Sequence, residues 1–315
     1  MAARTTSVAF EGAEARLVDV QVQVAGGSQP IFSIVGLGDK AVTESRERVR
    51  AAFAALGLSM PSQRLIVNLA PADRPKEGSH FDLPIALSVL AELGVVPRDA
   101  VEENLAFGEL GVDASIASAP GALPAAVAAQ AAGLSLICPE ACGAEAAWAG
   151  GDLPIIAPAS LIQLINHFKG TQVLSRPAPG ELVESARTAD LNQVKGQESA
   201  KRALEIAAAG HHNLLMVGPP GSGKSMMAER LPGLLPPLSA AELLDVSMIH
   251  SVAGLLERGC LRRDRPFRSP HHSASMAAMV GGGARARPGE ASLAHHGVLF
   301  LDELPEFHPQ VLDSL

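Results

Sequence analysis

Leu214-Leu215-Met216-Val217-Gly218-Pro219-Pro220-Gly221-Ser222-Gly223-Lys224-Ser225 decides the reading of this chain. An apolar run that predicts a buried strand leads into a glycine loop with the G-x-x-x-x-G-K-S spacing of a Walker A motif. The Lys-Ser pair opens a predicted helix. In that order the glycines let backbone N–H groups converge on phosphate oxygens. Gly218, Pro219, Pro220, Gly221, Ser222, Gly223, Lys224 and Ser225 are therefore the candidate nucleotide-binding residues. Lys224 is placed to meet the β- and γ-phosphates, and Ser225 to hold Mg²⁺. Downstream, Val298-Leu299-Phe300-Leu301-Asp302-Glu303 has the form of a Walker B segment, an apolar strand ending in two acids. Asp302 is the second candidate metal residue, and Glu303 is the candidate that orients a water against the γ-phosphate. Lys224 and Glu303 are thus the catalytic candidates, with ATP and Mg²⁺ as the expected cofactors.

The 315 residues are enough for two ordinary domains. Hydrophobic residues make up 47% and charged residues 18%, which favours packed cores over wholesale disorder. Aromatics are only 3%, with Trp148 as the one tryptophan and no tyrosine, which argues against a nucleic-acid platform of stacked rings. A formal charge of −8 argues against coating nucleic acid by net charge, yet leaves room for a local basic track. From Glu257 to Arg287 such a reversal of sign exists: Arg258, Arg262, Arg263, Arg265, Arg268, Arg285 and Arg287 face only Glu257 and Asp264. It reads either as a solvated face or as a contact surface for polyanion or a neighbouring subunit's nucleotide. The odd count of cysteines, Cys138, Cys142 and Cys260, lacks paired metal spacing, so reduced thiols and a cytoplasmic location are expected. No signal peptide is read at the N-terminus. Ala114 to Pro139 is uncharged but broken by prolines, and reads as a loop and buried helix and not as a membrane span.

Along the front half, Val18, Val20, Val22 and Val24 alternate with polar residues, predicting a half-buried strand. Gly26-Gly27-Ser28 is expected to turn it into a hairpin with Ile31–Val35. Val49, Ala52, Phe53 and Leu56 predict the buried stripe of a helix that Gly57 ends, with Arg46, Arg48 and Arg50 on its wet face. Leu65–Leu69 predicts a strand. Asp82 is expected to cap a more buried helix through Ile85, Leu87, Val89, Leu90 and Leu93, with Pro84 in its first turn. Short strands near Leu105–Phe107 and Leu134–Ile137 complete a mixed α+β unit. Arg176-Pro177-Ala178-Pro179-Gly180 reads as linker. Ser199–Ala209 predicts an Ala-rich helix ahead of the Walker A strand.

Several segments together resemble the magnesium-chelatase-related AAA+ proteins of the ComM/YifB type. They are Val194-Lys195-Gly196-Gln197-Glu198, Ala207 to Leu215, the Walker A loop, Arg268-Ser269-Pro270-His271-His272-Ser273, Arg287-Pro288-Gly289-Glu290 and Leu301-Asp302-Glu303-Leu304-Pro305-Glu306-Phe307. The resemblance implies residues 1–169 as a Lon-protease-like domain of the ribosomal S5 domain 2 type. Residues 170–190 become a linker, and 191–315 the first part of an incomplete α/β P-loop AAA+ domain. It also implies a homo-oligomeric, hexameric ring that acts on DNA by branch migration in natural transformation, without membrane contact.

Two departures follow. Pro75-Lys76-Glu77-Gly78-Ser79-His80-Phe81-Asp82 resembles the Lon nucleophile segment, but His80 stands where the serine belongs, and no lysine occurs between Lys76 and Lys169. A Ser–Lys dyad needs a desolvated amine, so an inert domain is expected, with Ser79 and His80 as a weaker pair. The resemblance also implies a sheet of order 5-1-4-3-2, of which the fourth and fifth strands, the sensors, the arginine finger and the lid are expected to be missing, as in a truncated copy.

The remaining signals are weaker. His211-His212, His271-His272 and His295-His296 invite a metal reading, but neighbours on a strand point to opposite faces, so packing is expected. Cys138 and Cys142 lack further ligands. Gly281-Gly282-Gly283 reads as a turn or a loop tip. Two other functions stand beside the DNA motor: an ATPase subunit of a tetrapyrrole magnesium chelatase, and a non-catalytic assembly module.

Overall fold

The computed structural model describes residues 2–26, 31–72, 76–184, 189–282 and 287–315. Gly27, Ser28, Pro75, Gly283, Arg285 and residues 185–188 of the expected linker lie outside the described residues. The chain forms two units, one of Met1–Gly180 with Ser251–Cys260, the other of Glu181–His250 with Leu261–Leu315.

The first unit is built on strands β1 (Ala3–Glu11), β2 (Glu14–Ala25), β3 (Phe32–Val35), β4 (Arg64–Ala70) and β5 (Asn104–Ala106), a small hairpin β6 (Glu109–Leu110) and β7 (Ile116–Ala117), and strands β8 (Ser135–Ile137) and β9 (Ile155–Ile156). Seven of them form one mixed sheet in the order β3-β4-β2-β1-β5-β8-β9. The valine alternation is the reason β2 sits at its centre. Val18, Val20 and Val22 are fully buried opposite Ser7, Thr5 and Ala3 of β1. Antiparallel partners face one another in register, so these residues share one side of the sheet.

That side is covered by α1 (Asp39–Ala55) and α2 (Asp82–Glu92), whose residues Asp82 to Ala91 are all buried. Ser88 of α2 donates to Thr5 Oγ1 at 2.9 Å, satisfying a polar pair inside the core. After α3 (Arg98–Glu102), helices α4 (Ala122–Ala131) and α5 (Glu140–Ala146) form a second cluster with Val8, Leu105 and Leu136. Helix α6 (Leu161–Phe168) returns to the first cluster through Leu161, Leu164 and Ile165. Residues Ser251–Cys260 complete this unit by hydrogen bonds. Ser251 donates to the buried Glu145 carboxylate, Gly121 N–H to the Ser251 carbonyl at 3.0 Å, and Trp148 Nε1 to the Gly259 carbonyl at 2.7 Å. Burial pushes the Glu145 carboxyl above its ordinary range, partly offset by Ser251 and the amides of Leu123 and Ala122.

Three expectations for this unit are corrected. The strand Phe32–Val35 does not form a hairpin with β2, because β4 pairs antiparallel with β2 and parallel with β3, lying between them. The hairpin partner of β2 is β1, across the tight turn at Gly12. Asp82 does not cap its helix: it is the first helical residue, fully buried, and accepts Arg48 Nε at 2.5 Å and Leu110 N–H at 3.3 Å. Arg48 therefore leaves the wet face and neutralises a carboxylate that burial alone holds above its ordinary range. Helix spacing encodes which face is apolar but not which arginine bends back over it.

The second unit opens with β10 (Leu182–Val183) and continues through α7 (Glu198–Gly210), α8 (Lys224–Ala228) and α9 (Ala240–Val252). There follow β11 (Leu261–Arg262), β12 (Phe267–Arg268), α10 (Met276–Val280), β13 (Gly281–Gly282), β14 (Arg287–Pro288), α11 (Glu290–Leu293), β15 (Val298–Leu299) and α12 (Pro309–Leu312). A capping box starts α9: Ser239 N–H donates to Glu242 at 2.8 Å, and Glu242 N–H to Ser239 Oγ at 3.4 Å. The Walker B strand is short, only half-buried, and pairs in parallel with β12. The expected Walker A strand is corrected too. No described strand pairs with Leu214–Val217, and Leu215 and Val217 are 72% and 89% exposed. Strand geometry needs ladder partners for its backbone groups, and apolar composition alone supplies none.

His80 gives this architecture a pH signature. Its ring is fully enclosed beside Phe10, Phe81 and Phe107, with Nε2 donating to the Val8 carbonyl at 2.9 Å. Burial lowers its pKa to about 4 against the Val8 bond, which pulls the other way. The unfolded chain therefore binds a proton near pH 6.5 that the folded unit refuses until about pH 4. Stability is fully present above the unfolded value and falls as pH drops through that window, by on the order of 3 kcal/mol at its foot. Imidazole chemical shifts of the full chain are expected to show His80 titrating near pH 4, and a midpoint near 6.5 would contradict its burial.

Candidate functional site

The Walker A loop lies between the unpaired run Leu214–Val217 and α8. Gly221 and Gly223 have φ of +78° and +87°, a left-handed backbone that side chains resist. At Gly223, the residue that opens α8, a Cβ would also come 3.1 Å from Met226 Cε and 3.3 Å from Gln197 Nε2. Gln197 has a second role in the loop, donating from Nε2 to the Ser222 carbonyl at 3.0 Å. Ser222 Oγ is buried with no hydrogen-bond partner among the described residues.

The two residues after the loop separate in direction. Lys224 Nζ donates to the loop's own carbonyls, Gly218 at 3.0 Å and Pro219 at 3.2 Å. Ser225 Oγ donates to Asp302 Oδ2 at 2.8 Å, across 77 residues of sequence. Asp302 also accepts the Glu303 N–H through Oδ1 at 3.0 Å. Glu303 itself has a left-handed φ of +54° and lies with Oε2 3.5 Å from His272 Nδ1. The structure thus joins Ser225 to Asp302, keeps Lys224 over the loop, and sets Glu303 beside a histidine.

The segments around these residues are tied by ion pairs. Arg268 on β12 meets Glu290 with two bonds, Nε–Oε2 at 2.5 Å and Nη2–Oε1 at 2.7 Å, a planar match that adds direction to charge. Arg265, only 7% exposed, holds Glu242 at 3.1 Å and the His296 carbonyl at 2.7 Å. Arg263 faces Glu184 at 3.6 Å, and Arg262 faces Asp264 at 3.7 Å. Each of these four arginines has an acidic partner, with Arg265 nearly buried and the Arg262 side chain still 59% exposed. Three of the four partners, Glu184, Glu242 and Glu290, lie outside the window in which the charges were counted.

The histidine pairs also depart from the strand-based expectation. The rings of His271 and His272 are 4.0 Å apart, and those of His295 and His296 are 4.1 Å apart. His211 and His296 have positive φ, so these dipeptides sit at turns and not along strands. Burial pushes the Cys142 thiol up to about 11 and the Cys138 thiol well above its ordinary value, leaving both as inert core thiols. No helix among the described residues is long and apolar enough to cross a membrane.

A glycine loop followed by Lys-Ser, with the serine bonded to an aspartate beyond a parallel strand, is an arrangement of the P-loop class. Comparison with known proteins narrows that class. The family described as magnesium chelatase, subunit ChlI, matches residues 190–315, and a model described as subunit ChlI of Mg-chelatase matches residues 20–141. The uncharacterized protein YifB of Escherichia coli (strain K12) is 44% identical over 304 residues, covering 96% of this chain and 60% of YifB. Competence protein ComM of Haemophilus influenzae is 43% identical over 316 residues, covering 98% of this chain and 61% of ComM. An archaeal Lon protease of Halobacterium salinarum is 41% identical over 61 residues, 19% of this chain and 8% of that protein. The chain belongs to the magnesium-chelatase-related family of YifB and ComM, a family of AAA+ ATPase type. It spans about 60% of the length of those two relatives.

Proposed function

We propose that this chain carries the ATP-binding core of a ring-forming AAA+ ATPase that acts on DNA. The observation that carries the reading is the Ser225–Asp302 bond, which puts two hard oxygen donors side by side next to Lys224. Such donors suit Mg²⁺. The buried Ser222 hydroxyl, with no partner among the described residues, and the Lys224 ammonium resting on loop carbonyls are compatible with a loop shaped for phosphate. In this reading Gly218, Pro219, Pro220, Gly221, Ser222 and Gly223 wrap the phosphates, and Lys224 gives them a charge-assisted donor. Ser225 and Asp302 hold Mg²⁺, which when bound draws charge off the phosphate oxygens. Glu303 accepts a proton from, and orients, the attacking water once released from His272.

The wider assignment follows the relatives. We infer a front domain of residues 1–169 with the Lon-like, S5 type of fold, a linker over 170–190, and an AAA+ domain from residue 191. We infer a homo-hexameric, cytoplasmic assembly that drives DNA branch migration in competence; the name of the relative, competence protein ComM, supports the link to competence and nothing finer. The front domain is taken as proteolytically inert. Ser79 Oγ donates to Glu109, while the His80 ring faces Val8 and is no base for it. Lys76 is buried with its ammonium on the Pro71 carbonyl. Peptidase assays on unfolded protein are expected to read blank, and activity abolished by Ser79→Ala would contradict this.

The test of the nucleotide site is equilibrium titration with a fluorescent ATP analogue and Mg²⁺. Lys224→Ala removes a charge-assisted contact worth roughly 1.5–3 kcal/mol, or about 10- to 150-fold in Kd. Equal affinities for the two proteins would overturn the assignment. Stimulation of ATP turnover by DNA is expected in the YifB/ComM-length protein, and dependence on a porphyrin instead would favour the chelatase reading.

A further inference from the structure

We propose that Asp245, His295 and His296 form a binding site for one divalent transition-metal ion of the zinc class, separate from the Ser225–Asp302 pair. One ligand atom from each of the three lies within 4.8 Å of the others. Two imidazoles and one carboxylate match the donors of open, three-ligand zinc sites, which leave a fourth position for water. Mg²⁺, which prefers oxygen donors and several waters, matches this set poorly.

The local sequence makes the arrangement. His296 has φ of +55°, and this left-handed step turns the chain so that the His295 and His296 rings lie together, 4.1 Å between centroids. The turn is held by Gly297 N–H donating to the Ala294 carbonyl at 2.8 Å and by Arg265 donating to the His296 carbonyl at 2.7 Å. Gly297 has no room for a side chain, since a Cβ would fall 2.1 Å from the Pro266 carbonyl oxygen. The third ligand comes from α9, where Asp245 stands three residues after Glu242, on the same helix face.

Ligands at ordinary zinc bond lengths on a tetrahedron stand about 3.3 Å from one another. His296 Nε2 and Asp245 Oδ2 are already 3.4 Å apart. His295 is exposed, and its ligand atom lies within 4.8 Å of the other two. The other ring nitrogen of His296, Nδ1, faces Glu242 Oε1 at 3.7 Å. A carboxylate on the distal nitrogen is the partner that metal-binding histidines use to fix ring orientation and raise basicity. Glu242 is held in turn by the Ser239 capping bonds and by Arg265, which also balances its charge. An ion here would tie α9 to the turn that enters β15, two residues ahead of the strand that leads to Asp302.

The experiment is Zn²⁺ uptake by the 315-residue chain in competition with a chromogenic chelator, with circular dichroism on each variant. One equivalent is expected to bind, and His295→Gln, an exposed change, and Asp245→Asn are each expected to weaken uptake at least tenfold. The double variants at His211-His212 and at His271-His272 are expected to keep it. Co²⁺ in place of zinc is expected to give visible absorption of a four- or five-coordinate ion that disappears in His295→Gln. No uptake by the parent chain at 100-fold excess Zn²⁺ over protein, or unchanged uptake in both ligand variants, would overturn the proposal.

Discussion

The hydrogen bond from Ser225 to Asp302 is the contact that holds the glycine loop and the acidic end of β15 together. It connects the residue after the Walker A lysine to the first acid beyond β15, and so brings two distant sequence signals to one place. Its neighbours are arranged to keep the two ends still. On one side, the left-handed glycines and Gln197 fix the loop. On the other, β15 is held by β12, with Phe300 N–H donating to the Arg268 carbonyl at 2.8 Å, and Arg268 is gripped by Glu290. Three separated motifs of the sequence therefore converge through polar bonds of definite direction, not through a large apolar core.

That division of labour differs between the units. In the first, side chains of α1, α2 and the central strands form a broad buried cluster that also encloses two polar pairs, Ser88 with Thr5 and Arg48 with Asp82. In the second, the buried apolar groups are small, such as Leu191, Val194, Leu204 and Met227, or Met279, Phe307 and Val311. Satisfied polar contacts have a modest net effect on stability while fixing geometry closely. The second unit is accordingly one in which orientation rests on ion pairs and caps.

The sequence was most legible where period and burial coincide. Val18, Val20 and Val22, the run Leu65–Leu69, and the Ala-rich helix before the loop all declare one face, and the structure places each as the pattern requires. Strand partners were not legible, because alternation states which side is buried and says nothing about which neighbour supplies the ladder. This is why β3 was read beside β2, although β4 lies between them. The same gap explains Leu214–Val217, apolar enough for a strand yet without a described partner. At the site, Lys224, Ser225, Asp302 and Glu303 were visible because their chemistry fixes their spacing. Gln197, Arg268, His272 and Glu290 stand in the motifs that carry the resemblance, but their contacts were not legible, since each partner lies 22 to 31 residues away. The capping box of Ser239 and Glu242 is legible in its S-x-x-E spacing.

If Ser225 and Asp302 hold a magnesium ion for a nucleotide, the metal's effect on affinity must run through them. The direct measurement is nucleotide affinity with Mg²⁺ and with chelator, for the parent chain and for Asp302→Asn. The account predicts that Mg²⁺ strengthens binding at least tenfold in the parent and little in the variant. An equal metal effect in both proteins would contradict it.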